Sequence, residues 1–218
     1  MPFIIGVLIL HILSAAVFSQ TTEGLREVKG QIIRSTHMPA VELEFGTGFK
    51  YVGGQKFVLY NVANAEQHFF VDADKNGRIK RLYWVQFEGF LPTNTHSYDY
   101  KVTSSVNLGG LDFIADASAI NINAAPDRAG SDGEHAREFL AKKGYKFAGD
   151  DVLLQRLVYL MGDKKRDELM IVYLEDMTGL GLTSADVTKG GKAEAKWNEL
   201  ADGVLARAQK DLKIRQKK

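Results

Sequence analysis

Residues 66–88 read EQHFFVDADKNGRIKRLYWVQFE, and this stretch decides how the chain folds. Aromatic and β-branched residues alternate with polar ones on both sides of Lys75-Asn76-Gly77, a pattern typical of two β-strands joined by a turn. Gly77 can adopt the left-handed conformation that closes a three-residue loop. The stretch therefore predicts an antiparallel β-hairpin.

The register of the hairpin decides which side chains share a face of the sheet. Pairing Asp74 with Arg78 separates a mainly apolar set from a mainly polar set. A shift by one residue would place Val85 opposite His68 and bury less apolar surface, so we expect the first register. The apolar face then holds Phe69, Val71, Ala73, Ile79, Tyr83, Val85 and Phe87, and the other face holds Glu66, His68, Phe70, Leu82, Trp84, Gln86 and Glu88.

The polar face of the hairpin is the candidate functional site. It would bring an imidazole close to two carboxylates, beside an aromatic ring. A neighbouring carboxylate moves a histidine pKa through the neutral range, so this set can serve as a ligand platform or as a general acid/base pair. A solvated sheet face without function is the simpler interpretation. The candidate site residues are Glu66, His68, Trp84, Gln86 and Glu88.

Further strands are predicted on both sides of the hairpin. Before it, 41–45 and 57–62 alternate apolar with polar residues, and glycines mark the turns between them. After it come weaker strands near 98–102 and 111–117. The segments 152–161 and 168–175 are apolar on both faces, and we expect them near the centre of the sheet.

Two helices complete the predicted fold. A capping box of Ser131 and Glu134 begins the first, and basic residues followed by Gly144 end it. The second spans about 192–213 and carries an apolar stripe that includes Trp197. The fold class predicted is α+β: a mostly antiparallel curved sheet with a mid-chain helix and a long C-terminal amphipathic helix packed on it.

Residues 1–19 predict an export signal. The apolar run 3–13 is followed by small residues and by the tripeptide VFS at 17–19, an acceptable cleavage pattern, although no Lys or Arg precedes the run. An uncleaved anchor is the alternative, because the apolar stretch is close to the lower limit of about 17 residues for spanning a bilayer. Export would leave a single domain, 20–218, in the periplasm or the extracellular medium. With no cysteine, that domain has no disulfide to stabilise it.

Composition and motif searches exclude several classes of function. The 28 Lys and Arg residues balance 27 Asp and Glu residues, so nothing indicates a nucleic-acid binder. Five histidines without cysteine give no transition-metal spacing. Residues 72–79 match the start of a calcium loop, but Tyr83 stands where the bidentate glutamate belongs, and a hairpin turn is the better interpretation. We expect no metal, no cofactor, and no membrane contact beyond the N-terminal segment.

The run WVQFEGFLP at 84–92 resembles exported bacterial proteins of unknown function. This resemblance implies a compartment and no chemistry. Our leading hypothesis is a non-enzymatic domain that binds a small or amphipathic ligand between the sheet and the C-terminal helix. The alternatives are a hydrolase or lyase that uses His68 with Glu66 or Glu88, and an envelope-associated interaction protein.

Export gives a direct test. The apolar run and the cleavage pattern predict that the mature protein begins at or near Gln20. N-terminal sequencing of the protein expressed in its host should therefore start there. An intact Met1 on a soluble cytosolic product would contradict the prediction.

Overall fold

A computed structural model describes residues 25–102, 104–124 and 126–217. The predicted export signal lies outside these residues. The described chain is largely β-sheet, with 48% strand and 18% helix. The predicted antiparallel sheet is confirmed, but the chain is more strongly sheet than an even α+β division implies.

The described residues form twelve strands and three α-helices. The strands are β1 Arg26–Lys29, β2 Ile32–Thr36, β3 Ala40–Phe45, β4 Lys50–Leu59, β5 Ala63–Ala73, β6 Arg78–Phe90, β7 Ser105–Leu108, β8 Leu111–Asn121, β9 Lys146–Phe147, β10 Asp151–Met161, β11 Asp167–Asp176 and β12 Leu212–Gln216. The helices are α1 Asp132–Lys142, α2 Ser184–Val187 and α3 Trp197–Lys210.

The strands form one large and one small sheet. The large sheet is open, with the order β4-β5-β6-β11-β10-β8-β7, and β9 pairs with β6. All its pairings are antiparallel except that of β6 with β9. The small antiparallel sheet has the order β1-β2-β3-β12. As predicted, β10 and β11 are central strands.

Each face of the large sheet has its own apolar core. On one face the small sheet and α3 cover it: Phe45 of β3 stacks on Phe70 of β5 with ring centroids 4.1 Å apart. On the other face α1 covers it: Phe139 stacks on Phe69 with centroids 5.0 Å apart. Successive residues of β5 thus contribute to opposite cores, as the two-residue period of a strand requires.

The register predicted for the hairpin is wrong beyond Lys80. Ala73 pairs with Ile79, as expected near the turn, but Asp72 pairs with Arg81. Lys80 is therefore an extra residue in β6, a β-bulge, and it shifts the rest of that strand by one position. The side chain of Lys80 is exposed, so inserting it into the strand buries no charge.

The bulge exchanges the two faces of β6. Val85 lies opposite His68, and Trp84 lies opposite Phe69. Apolar burial did not select against this register because both faces of the hairpin are covered. Tyr83, Val85 and Phe87 enter the core between the sheets, whereas Ile79, Leu82 and Trp84 belong to the core under α1.

The start of α1 follows its local sequence signal, whereas the C-terminal helix is shorter than predicted. Ser131 caps α1 as predicted, and its side chain accepts the backbone N–H of Glu134. The C-terminal helix exists, but it ends at Lys210 rather than near 213. Residues 212–216 alternate between buried and exposed and pair with β3 as β12, so the end of the chain follows the strand period instead.

The bulge predicts that the stability of the protein depends on the extra residue in β6. Deleting Lys80 would force Trp84 into the core between the sheets and Tyr83 out of it. We expect the deletion to remove most of the free energy of unfolding, which is typically about 5–15 kcal/mol. Lys80→Ala keeps the extra residue and removes only an exposed side chain, so it should change stability by no more than about 0.5 kcal/mol. Urea denaturation of both variants measures the difference, and equal stability would show that the register does not depend on the bulge.

Candidate functional site

The hairpin separates the five predicted site residues instead of bringing them together. Glu66 and His68 lie on the face between the two sheets, opposite Phe87 and Val85. Gln86 and Glu88 lie with Trp84 on the other face. The prediction of one shared polar face is therefore wrong, and the bulge at Lys80 is the physical reason.

Glu66 and His68 belong to a chain of buried hydrogen bonds between the sheets. The Nε2 of His68 lies 3.0 Å from a carboxylate oxygen of Glu66, and its Nδ1 lies 3.0 Å from the hydroxyl of Tyr51. Arg26 of the small sheet donates to the other carboxylate oxygen of Glu66 at 2.9 Å. The predicted contact between His68 and a carboxylate is therefore present with Glu66, while Glu88 is on the opposite face.

The charges in this set of hydrogen bonds favour a structural role, in which the set links the small sheet to the large one. Burial disfavours the ionised form of Glu66, but the hydrogen bond with His68 and the charge of Arg26 outweigh it and lower the pKa of Glu66. Burial raises the pKa of Tyr51, so its hydroxyl is not an activated nucleophile. Arg26 also donates to the backbone carbonyl of Met38, which fastens the start of the small sheet.

A second polar network crosses the large sheet beneath the N-terminal end of α1. The side-chain amide of Gln55 donates to Gln67 at 2.8 Å, Gln67 donates to Gln86 at 2.8 Å, and Gln86 donates to Glu88 at 2.6 Å. Gln67 also donates to the backbone carbonyl of Asp132 at 3.0 Å. The network therefore joins four side chains on three strands to the first turn of α1.

The network ends at a pair of buried glutamates. Glu88 of β6 and Glu168 of β11 are directly paired across the two strands and are only 6% and 2% exposed. The segment after β6, predicted as a weak strand near 98–102, is not a strand. It instead supplies two hydroxyls: Tyr98 donates to Glu88 at 2.6 Å, and Tyr100 donates to Glu168 at 2.8 Å.

Ionising both glutamates is unfavourable, because each carboxylate would be buried and the two negative charges would repel each other. Burial and the negative charge of Glu88 raise the pKa of Glu168 to about 8. Burial also raises the pKa of Glu88. Glu168 is therefore protonated at neutral pH in the folded protein.

Beside this network lies a cavity between α1 and the large sheet, which we call the α1 cavity. Its volume is about 700 Å³. Trp84 and Leu82 of β6 line it, and so do residues of β11 and α1. The indole Nε1 of Trp84 is buried and has no hydrogen-bond partner among the described residues. The apolar lining includes Leu82, Trp84, Ala136, Leu140, Val172 and Leu174.

The sequence predicted part of this region. It identified Trp84, Gln86 and Glu88 as residues of one face, and it predicted α1 from its capping box. It missed Glu168 as the partner of Glu88, because nothing in either strand specifies that β11 lies beside β6. It also missed the cavity, which depends on the distance between α1 and the sheet.

No family model, curated protein or solved structure matches this chain.

Within the described ranges, no group of three or more His, Asp and Glu side chains is placed to hold a metal ion. In the calcium-like turn, Asp74 instead accepts the backbone N–H groups of Asn76 and Arg78 at 2.8 and 2.9 Å. None of the helices in the described part of the chain has the length and apolar character to cross a bilayer.

Glu168 should make stability depend on pH. Its pKa is 4.5 in the absence of the fold and about 8 in the folded protein. The folded state therefore holds a proton that the unfolded state has lost, and the free energy of unfolding falls as the pH rises between these two values.

Glu168→Gln should remove the contribution of Glu168 to this dependence, because the amide stays neutral and can still accept from Tyr100. The contribution of Glu88, whose pKa is also raised, remains. At pH 8 the variant should be more stable than the wild type by at least about 1 kcal/mol, since one pKa unit corresponds to about 1.4 kcal/mol. Denaturation by urea between pH 4.5 and 9 measures the effect. Glu138→Gln, on the exposed face of α1, is the control. Parallel profiles for wild type and Glu168→Gln would mean that Glu168 is ionised in the folded state.

Proposed function

We propose that this protein is a non-enzymatic binding domain that holds a small, mainly apolar molecule in the α1 cavity. The α1 cavity itself carries the proposal. Its volume of about 700 Å³ lies in the range of about 300–1,000 Å³ that is usual for small-molecule sites. Its apolar lining favours hydrocarbon over water.

The α1 cavity is an open cleft rather than a sealed void. Its large apolar lining, more than its volume, distinguishes it from other clefts of the described residues. Exposed residues such as Arg78 and Lys146 also line the cavity, so it reaches the protein surface. A ligand can therefore enter beside α1, and it would supply the packing contacts that the empty space lacks.

The proposed site differs from the one expected from the sequence. That hypothesis placed the ligand between the sheet and the C-terminal helix, whereas α1 covers the cavity proposed here. The alternative of a hydrolase or lyase has less support, because His68 and Glu66 are buried between the sheets and linked to Tyr51 and Arg26. We propose export to the periplasm or the medium from the N-terminal sequence alone.

Filling the cavity tests the proposal. Ala136 is buried in α1 and lines the cavity, so Ala136→Leu should occupy part of its volume. We expect the affinity for N-phenyl-1-naphthylamine, an apolar fluorescent probe, to fall by about tenfold, or about 1.4 kcal/mol. In a Trp197→Phe background, Trp84 is the remaining tryptophan, and its emission should be quenched by the bound probe.

A matched substitution controls for changes in stability. Ala206→Leu adds the same side chain at an exposed position of α3 and should leave probe binding unchanged. Equal affinities for wild type and Ala136→Leu, or probe binding that does not quench Trp84, would place any binding outside the α1 cavity and overturn the proposal.

A further inference from the structure

Two basic segments that are distant in sequence meet at one end of the α1 cavity. One is the hairpin turn after β5, and the other follows α1. Gly77 in the turn lies so close to Gly144 that a Cβ on Gly77 would collide with the carbonyl oxygen of Gly144. The backbone N–H of Lys146 donates to the carbonyl of Gly77 at 3.0 Å. These contacts fix the two segments against each other.

Their contact concentrates positive charge in a protein whose net charge is only +1. Arg78 of β6 and Lys146 of β9 are direct partners in the parallel pairing of these strands. Both line the α1 cavity. We call the cationic set at this end the basic corner, which comprises Lys50, Lys75, Arg78, Lys143 and Lys146.

The basic corner contains a cavity of its own, of about 500 Å³, which we call the basic cavity. Lys50, Lys75 and Lys143 line it. Tyr145 lines both the basic cavity and the α1 cavity, so the two cavities share one wall residue. An apolar compartment and a cationic compartment are therefore neighbours.

The acidic groups at this corner are already engaged. Asp74 lines the basic cavity, but one of its carboxylate oxygens accepts two backbone N–H groups of its own turn. Glu138 pairs with Lys142 at 3.4 Å. Among the other charged residues of the α1 cavity, Arg137 and Asp127 form an ion pair at 2.7 Å, and Asp150 accepts the side-chain amide of Asn123 at 2.8 Å. The unbalanced charge of the two cavities is positive.

We infer that the ligand is an anionic amphiphile, with its hydrocarbon chain in the α1 cavity and its anionic head at the basic corner. This inference rests on the proposed function and specifies its ligand class. Lysine and arginine side chains bind phosphate and carboxylate groups through charge-assisted hydrogen bonds. The apolar lining takes a chain that carries no polar atoms.

Three probes of one chain length test the head group: dodecyl phosphate, dodecanol and dodecyltrimethylammonium, each below its micelle concentration. Isothermal titration calorimetry on the full protein should give about tenfold tighter binding of dodecyl phosphate than of dodecanol. The cationic probe should bind more weakly than dodecanol. Because the corner is exposed, raising the salt concentration should reduce the preference for the anion.

Substituting two lysines of the basic cavity should weaken that preference without changing the chain site. In Lys75→Gln/Lys143→Gln, dodecyl phosphate should bind about threefold more weakly than to the wild type, because Lys50, Arg78 and Lys146 remain. Dodecanol should bind as it does to the wild type. The control Lys29→Gln/Lys217→Gln removes two exposed lysines near the small sheet and should keep the preference.

The outcomes separate the inference from the proposed function. Equal wild-type affinities for dodecyl phosphate and dodecanol would overturn the anionic head and leave the apolar site. Binding of none of the three probes would overturn the proposed function as well. Inorganic phosphate that binds as tightly as dodecyl phosphate would show that the two cavities do not act together. Binding to phosphatidylglycerol vesicles without binding to monomeric dodecyl phosphate would identify a membrane surface instead.

Discussion

One extra residue in β6 is the constraint on which the rest of the structure depends. Lys80 interrupts the pairing of β5 with β6, and every later side chain of β6 faces the side opposite to the one that an uninterrupted ladder would give. The aromatic Tyr83 thereby enters the core between the sheets, where its hydroxyl donates to the carbonyl of Ala208 in α3. Trp84 goes to the core under α1. Both covering layers of the large sheet therefore depend on the register that this bulge sets.

The same bulge divides the polar residues of the hairpin between two tasks. Glu66 and His68 join the large sheet to the small one through Arg26, and they are only 9% and 7% exposed. Glu88 closes a polar network under α1 and meets Glu168. Burying an ion pair or a hydrogen-bonded network costs desolvation free energy, and hydrogen bonds offset that cost only when the polar atoms are paired. Here Tyr98 and Tyr100 donate to the two glutamates, and protonation of Glu168 removes one of the two buried charges.

The face under α1 combines an apolar cavity with a cationic end. The hairpin turn serves both, because Gly77 permits the close approach of the segment after α1 and so positions Arg78 beside Lys146. A turn that resembles a calcium loop in sequence thus has a different role in the fold. Its Asp74 accepts backbone N–H groups, Arg78 lines the α1 cavity, and Lys75 lines the basic cavity.

The sequence by itself determined the local elements of this protein: the hairpin turn at Gly77, the start of α1 at Ser131, and the two apolar central strands. The turn and the helix start depend on contacts within a few residues. The two strands are apolar on both faces, which is typical of strands covered on both sides. Only the tertiary structure decided the faces of β6, because both sides of the hairpin are covered and apolar burial could not choose between the registers. It also decided that Glu168 meets Glu88, and that α1 leaves a cavity above Trp84. Strand order and the spacing between layers depend on contacts far apart in the chain, and no local pattern encodes them.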